Sequence, residues 1–244
     1  MSRGPVAAVA LLVAAAAGCG GGGDPEVQAV DVTTGSRIEQ RACGPGEHEL
    51  TLANGQSARM RVTPGSGARA LVVVLHGAGG TPASALDAFR GGWDEPGLVL
   101  IAPASKGQTW SILRSEQDLD LESVNLALAE AYEGCTIDRR RIAVGGFSDG
   151  ATYALTLGVS NGDLFPAVMA LSPGGIVAGE QRGVPRFFVS HGTLDTVLPI
   201  ARAGDAVVEK LRDAGYRVTY RRFRGGHEAS RETSAAAVRW FLDG

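Results

Sequence analysis

Charge of one sign is not concentrated anywhere in this chain. Its 23 basic and 26 acidic residues leave a formal charge of −3. With no long basic or acidic run, nothing advertises a nucleic-acid surface. Histidine is scarce too: His48, His76, His191 and His227 are the full set of 4, and no clustered spacing makes a zinc site of them. A loop dense in oxygen ligands is lacking, which argues against calcium. Asp118, Asp120 and Glu122 do alternate at the start of a helical segment, where acids commonly cap the helix or face water. No metal and no cofactor are expected. Cysteine is limited to Cys19, Cys43 and Cys135, and neither Cys43 nor Cys135 has neighbours of a metal or nucleophile motif. What the chain has in quantity is glycine, 35 of 244 residues, so an isolated glycine carries little information. The length suits one sizeable hydrophobic core.

Arg3 precedes an apolar run over residues 6–17, which is too short to span a bilayer and ends in Ala16-Ala17-Gly18-Cys19. This start resembles the signal of a bacterial lipoprotein, with Cys19 as the lipidated first residue of the mature chain. The division expected is a signal peptide over residues 1–18, a glycine-rich tether over 19–28 and one domain over 29–244. The location expected is the bacterial cell envelope, held by a lipid anchor; plain secretion is the alternative. Either route leads to an oxidising compartment, where Cys43 and Cys135 are available for a disulfide, with two separate thiols as the other outcome.

Residues 49–53 and 58–63 alternate around Asn54-Gly55, the pattern of a β-hairpin on the edge of a larger sheet. Beyond it, nearly continuous apolar runs at 69–75, 98–102, 142–144, 167–171 and 186–189 read as strands covered on both faces. A further strand is expected at 218–223. Segments 82–89, 118–132, 201–214 and 229–242 read as helices between them, as does the stretch after Ser148. Strands alternating with helices predict an α/β fold with a mostly parallel sheet and helices on both faces. Functional residues then belong at the carboxyl ends of the strands.

One stretch organises the rest. A short apolar strand runs into Gly146-Phe147-Ser148-Asp149-Gly150 and on into a helix, so the serine stands at the apex of a sharp strand-to-helix turn. A serine alcohol is nearly inert by itself and needs a base, an acid to orient the base, and donors for an oxyanion. Asp195 lies in the loop after the strand at 186–189, and His227 follows the last strand in Gly225-Gly226-His227-Glu228. The order Ser148, Asp195, His227 is one of the known orders for such a triad. Oxyanion donors are expected from the backbone N–H of Asp149 and from the loop His76-Gly77-Ala78-Gly79-Gly80, at Ala78 or alternatively Gly79.

Together with His191-Gly192-Thr193-Leu194-Asp195, these motifs make the chain similar to the α/β-hydrolases. More narrowly, it resembles the group of polyhydroxybutyrate depolymerases, feruloyl esterases and related carboxylesterases. The resemblance spans residues 69–242 and implies a cofactor-independent serine esterase that works through an acyl-enzyme. The short span between the nucleophile strand and Asp195 leaves little room for a lid and favours small acyl, feruloyl or hydroxyalkanoate esters over dense polymer. A peptidase or thioesterase with the same triad is one alternative reading. A silent binding protein on the same fold is another.

The pocket walls are less defined. Trp110 either lines an acyl or aromatic pocket or seals its loop against the core, and Phe147 either floors the site or packs beneath it. Val197 and Leu198, just past Asp195, either border the pocket mouth or belong to the core. His76 and His191 are expected to shape their loops, and His48 to face solvent.

Overall fold

The protein is described by a computed structural model that covers residues 43–114, 117–177 and 179–244. The expected signal peptide, the tether, Cys19 and the first part of the domain, residues 29–42, lie outside the described residues. Eight strands form one sheet: β1 (Gly46–Thr51), β2 (Ser57–Val62), β3 (Arg69–Leu75), β4 (Leu98–Pro103), β5 (Ile137–Phe147), β6 (Ala167–Leu171), β7 (Arg186–Gly192) and β8 (Arg217–Phe223). The helices are α1 (Pro82–Ala88), α2 (Leu121–Gly134), α3 (Asp149–Ser160), α4 (Gly204–Asp213) and α5 (Arg231–Leu242).

The strand order is β1-β2-β4-β3-β5-β6-β7-β8. β1 and β2 pair antiparallel, β2 joins β4 antiparallel, and every other pair is parallel. This is the expected hairpin on the edge of a parallel sheet.

Period-two alternation distributes one strand between two cores. Leu71, Val73 and Leu75 of β3 point to the side covered by α2, α3 and α4, where Val124, Leu128, Leu155, Val207 and Leu211 meet them. Ala70, Val72 and Val74 point to the other side, against Leu86 and Phe89 near α1 and Val238 and Phe241 of α5. Both faces are dry, which is why these strands lack a polar alternation.

The chain leaves β3 toward β4 on one side and toward β5 on the other. Such a reversal opens a crevice at the carboxyl ends of the two strands. Gly77 to Gly80 follow β3 there, and Ser148 follows β5.

Two expectations on element bounds are corrected. α2 begins at Leu121 rather than at 118, because Asp118 and Asp120 are engaged elsewhere. β5 begins at Ile137, five residues ahead of the predicted 142, since the charged stretch from Asp138 to Arg141 continues the strand past a register shift against β3. Cys43 and Cys135 are joined by a disulfide with their Cα atoms 5.0 Å apart, which ties the start of the hairpin to the end of α2.

Candidate active site

The turn at Ser148 is made possible by what its neighbours lack. A Cβ on Gly146 would lie 2.2 Å from the Gly150 carbonyl oxygen, and one on Gly150 would lie 2.1 Å from that of Leu75. Without side chains there, α3 starts directly against β3. Ser148 itself is held at φ 56° and ψ −121°, a left-handed backbone that ordinary residues avoid. Its N–H donates to the Leu171 carbonyl on β6 at 3.0 Å, so the sheet itself secures the turn.

His227 reaches Ser148 from the loop after β8. Its Nε2 lies 2.9 Å from Ser148 Oγ, and its Nδ1 lies 2.8 Å from Asp195 Oδ2. A carboxylate accepts only, so Nδ1 carries the proton and Nε2 is left to accept from the serine hydroxyl. The ring is tilted over Phe147 with centroids 4.9 Å apart.

Asp195 is held by several donors. The N–H groups of Val197 and Leu198 donate to Oδ1 at 2.9 and 2.8 Å. Oδ2 receives His227 and also lies 3.1 Å from His191 Nε2. Burial alone would push this carboxyl up; the donors from Leu198, His227 and Val197 outweigh it and hold it below the usual carboxylate range. His191 Nε2 also donates to the Leu198 carbonyl at 2.8 Å. The histidine expected to shape the loop therefore touches the acid as well.

Gly77 lies against Ser148: a Cβ there would be 3.2 Å from Ser148 Cβ. Ala78 is exposed on the same loop. Gly79 donates its N–H to the Gln108 carbonyl at 2.5 Å and adopts φ +67°. His76 is buried; its Nδ1 donates to the Gly77 carbonyl at 2.8 Å, and its Nε2 accepts from Ser105 N–H at 3.2 Å. Burial pushes this imidazole below its ordinary value despite the Gly77 carbonyl and the charge of Asp120.

Trp110 corrects the pocket expectation. It is fully buried, donates from Nε1 to the His76 carbonyl at 2.9 Å, and lies against the rings of His76 and Tyr153. It seals the loop against the core. Val197 and Leu198 meet the site through their backbone N–H groups, and neither lines the cleft beside His227. Phe147 does line that cleft, which measures about 390 Å³ and lies between Gly77 to Gly80 on one wall and His227, Glu228 and Ala229 on the other.

Of the acids expected to cap α2 or face water, Asp118 Oδ1 accepts from the Asp120 N–H at 3.2 Å at the helix start and Glu122 is exposed in the first turn, as expected, whereas Asp120 does neither. Asp120 is buried and accepts from the N–H groups of Lys106 and Ser111, both at 2.6 Å. Asp118 accepts from the Tyr153 hydroxyl at 2.6 Å; burial raises its carboxyl, and that hydrogen bond only partly offsets the rise. Among the described residues no group of three or more His, Cys, Asp or Glu is placed to hold a metal ion.

Residues 117–243, just over half of the chain, match the family model described as phospholipase/carboxylesterase. The chain belongs to that family. The matched stretch contains Ser148, Asp195 and His227, while the loop from His76 to Gly80 lies ahead of it. Solved structures share the α/β-hydrolase fold of this phospholipase/carboxylesterase member. Esterase PE8 aligns at 24% identity with a TM-score of 0.64, over 77% of this chain and 98% of its own. The fluorophosphonate-binding serine hydrolase F of Staphylococcus aureus aligns at 12% identity with a TM-score of 0.66, over 82% of this chain and 100% of its own. A Bacillus cereus carboxylesterase aligns at 18% identity with a TM-score of 0.57, over 77% and 94%. No curated protein matches the sequence.

Thr109 was not singled out in the sequence. Its hydroxyl donates to Asp149 Oδ2 at 2.6 Å, a contact across 40 residues of chain that no local pattern announces. Ser172 was missed as well. It adopts φ 51° and donates from Oγ to the Glu228 carbonyl at 3.2 Å, beside His227.

Proposed function

We propose that this family member is a serine esterase that hydrolyses small carboxylic esters through an acyl-enzyme. The observation carrying the proposal is the hydrogen-bonded line from Ser148 Oγ through His227 to Asp195, at 2.9 and 2.8 Å. Ser148 Oγ attacks the ester carbonyl while His227 Nε2 takes its proton. Asp195 keeps the ring oriented and balances the imidazolium. The tetrahedral oxyanion is stabilised by the N–H of Asp149 and the N–H of Ala78, since Gly79 has committed its own N–H to Gln108. The carbon–oxygen bond to the alcohol then breaks, and His227 returns the proton to the departing alkoxide. Water attacks the acyl-serine, gives its proton to His227, and releases the acid and a restored Ser148 hydroxyl.

A cleft of about 390 Å³ is in the range of small-molecule sites. It opens beside His227, with Phe147 as one wall and without Ser148 in its lining; short acyl, feruloyl or soluble hydroxyalkanoate esters are the substrate class proposed. The same proposal places the enzyme outside the cytoplasm, anchored through Cys19, and the Cys43–Cys135 disulfide supports an oxidising compartment.

The test is kcat/KM on matched panels of short acyl esters, feruloyl esters and 3-hydroxybutyrate oligomers, with Ser148→Ala as the blank. Turnover of one ester class that disappears in Ser148→Ala is the expected result. Equal rates in both proteins, or turnover confined to amides, would overturn the esterase reading. For the anchor, intact mass of the mature chain is expected to begin at a diacylglyceryl-modified Cys19, and an unmodified chain starting elsewhere would remove it.

A further inference from the structure

The loop from Ser105 to Ser111 touches both the loop after β3 and the start of α3 with three consecutive residues. Gln108 accepts the N–H of Gly79 at 2.5 Å. Trp110 donates to the carbonyl of His76 at 2.9 Å. Between them, the Thr109 hydroxyl donates to the carboxylate of Asp149 at 2.6 Å. The first two contacts fix the strand-end loop that carries Ala78, and the third fixes the residue after the nucleophile. The loop is itself closed by Asp120, which is buried and accepts from Lys106 N–H and Ser111 N–H at its two ends.

We infer that Thr109 is a positioning residue for the oxyanion hole, acting through the Asp149 carboxylate. The inference rests on the serine esterase reading above. Asp149 is the first residue of α3, where N–H groups without intrahelical partners and the helix dipole attract a carboxylate. A carboxylate left to itself there folds toward those N–H groups. It then competes for the donor that the oxyanion needs and sets a negative charge beside a developing one. The Thr109 hydroxyl gives the carboxylate a short, charge-assisted partner on the far loop instead. Because Gln108 and Trp110 hold the opposite wall, one three-residue segment sets the spacing between the Asp149 and Ala78 donors. The charge is harmful only when the carbonyl oxygen turns anionic, so the effect belongs to the transition state rather than to substrate binding.

The test compares Thr109→Val and Thr109→Ala, which remove the hydroxyl with larger and smaller side chains, with Thr109→Ser, which keeps it. Readouts are kcat and KM on a short p-nitrophenyl ester and the inhibition constant of an aryl trifluoromethyl ketone, which adds to the serine and forms an oxyanion. Loss of the hydroxyl is expected to lower kcat about tenfold, less than loss of a donor outright, with KM within about twofold, and to weaken the ketone by the same factor. Thr109→Ser is expected to stay near wild type in all three. Val and Ala variants with unchanged kcat and ketone affinity would overturn the inference, as would a serine variant as impaired as valine. A wild-type protein that neither turns over esters nor binds the ketone removes the esterase reading, and this inference with it. An active wild type with indifferent Thr109 variants removes this inference alone.

Discussion

Ser148 occupies a backbone region that costs a non-glycine residue about 1–3 kcal/mol, and the surrounding glycines are what let the sheet and helix impose it. A Cβ on Gly150 would lie 2.1 Å from the Leu75 carbonyl and 2.5 Å from that of His76, both of them backbone atoms that cannot step aside singly. Gly150→Ala is therefore expected to lower stability by about 2–4 kcal/mol and to reduce kcat at least about a hundredfold, the scale of a misplaced catalytic group. Urea unfolding and ester turnover check the two parts, and an alanine variant with wild-type kcat would contradict the geometry. His76 supplies a second expectation. Burial holds its imidazole below the ordinary histidine range in the fold, whereas the unfolded chain takes up a proton near pH 6.5. A histidine with a lowered folded pKa makes the unfolded state bind more protons as pH falls below 6.5, so stability declines there. Asp195 behaves differently: its carboxyl is held low in the fold, and its contribution is present above about pH 4 and lost only as pH falls further. Between pH 6.5 and 5 the stability of His76→Asn is expected to fall less steeply than that of wild type; parallel curves from denaturant titrations would sink the assignment. At this scale the meeting of Ser148, His227 and Asp195 was legible because each sits in a short motif at a strand end. Thr109 and Ser172 were not, because their partners Asp149 and Glu228 are 40 and 56 residues away. Trp110 was ambiguous for a related reason: an indole after a strand has the same neighbours in sequence whether it faces a pocket or a core.

The strands of this sheet are legible as elements because burial on both faces leaves no polar alternation to confuse them. Their ends are another matter. α2 starts three residues later than its acidic pattern predicts, since the carboxylates of Asp118 and Asp120 are used on Tyr153 and on the loop from Lys106 to Ser111. Four charged residues concealed the first half of β5, which pairs with β3 only across a register shift. The hairpin and α2 are joined by the disulfide across 92 residues of chain. A closed loop of that size restricts the unfolded chain enough to add about 4.6 kcal/mol in the chain-entropy account, and commonly less in practice. Cys135 sits just ahead of β5, whereas Ser148 follows its far end; eleven strand residues separate these ends, on the order of 30 Å. Replacing both Cys43 and Cys135 with serine is therefore expected to cost about 2–4 kcal/mol in denaturant unfolding while kcat stays within about twofold. A large fall in kcat with little loss of stability would mean that the bond acts on the site, contrary to its position.

For the molecule as a whole, the crevice at the strand reversal brings together parts of the chain from Gly77 to Ala229. The fold and membership among the α/β-hydrolases could be anticipated because strand periodicity and four short motifs agree with one another; the narrower subgroup could not. The substrate could not, because the cleft walls come from loops whose approach is set by tertiary packing, as with Phe147 over His227 and Gly77 against Ser148. The central claim is that Ser148 is an activated nucleophile. Incubating the folded protein with a fluorophosphonate and mapping the adduct by mass spectrometry tests it most directly. One adduct is expected, on Ser148, formed much more slowly in His227→Ala and absent in Ser148→Ala. A folded wild-type protein that stays unlabelled, or one labelled at another residue, would contradict it.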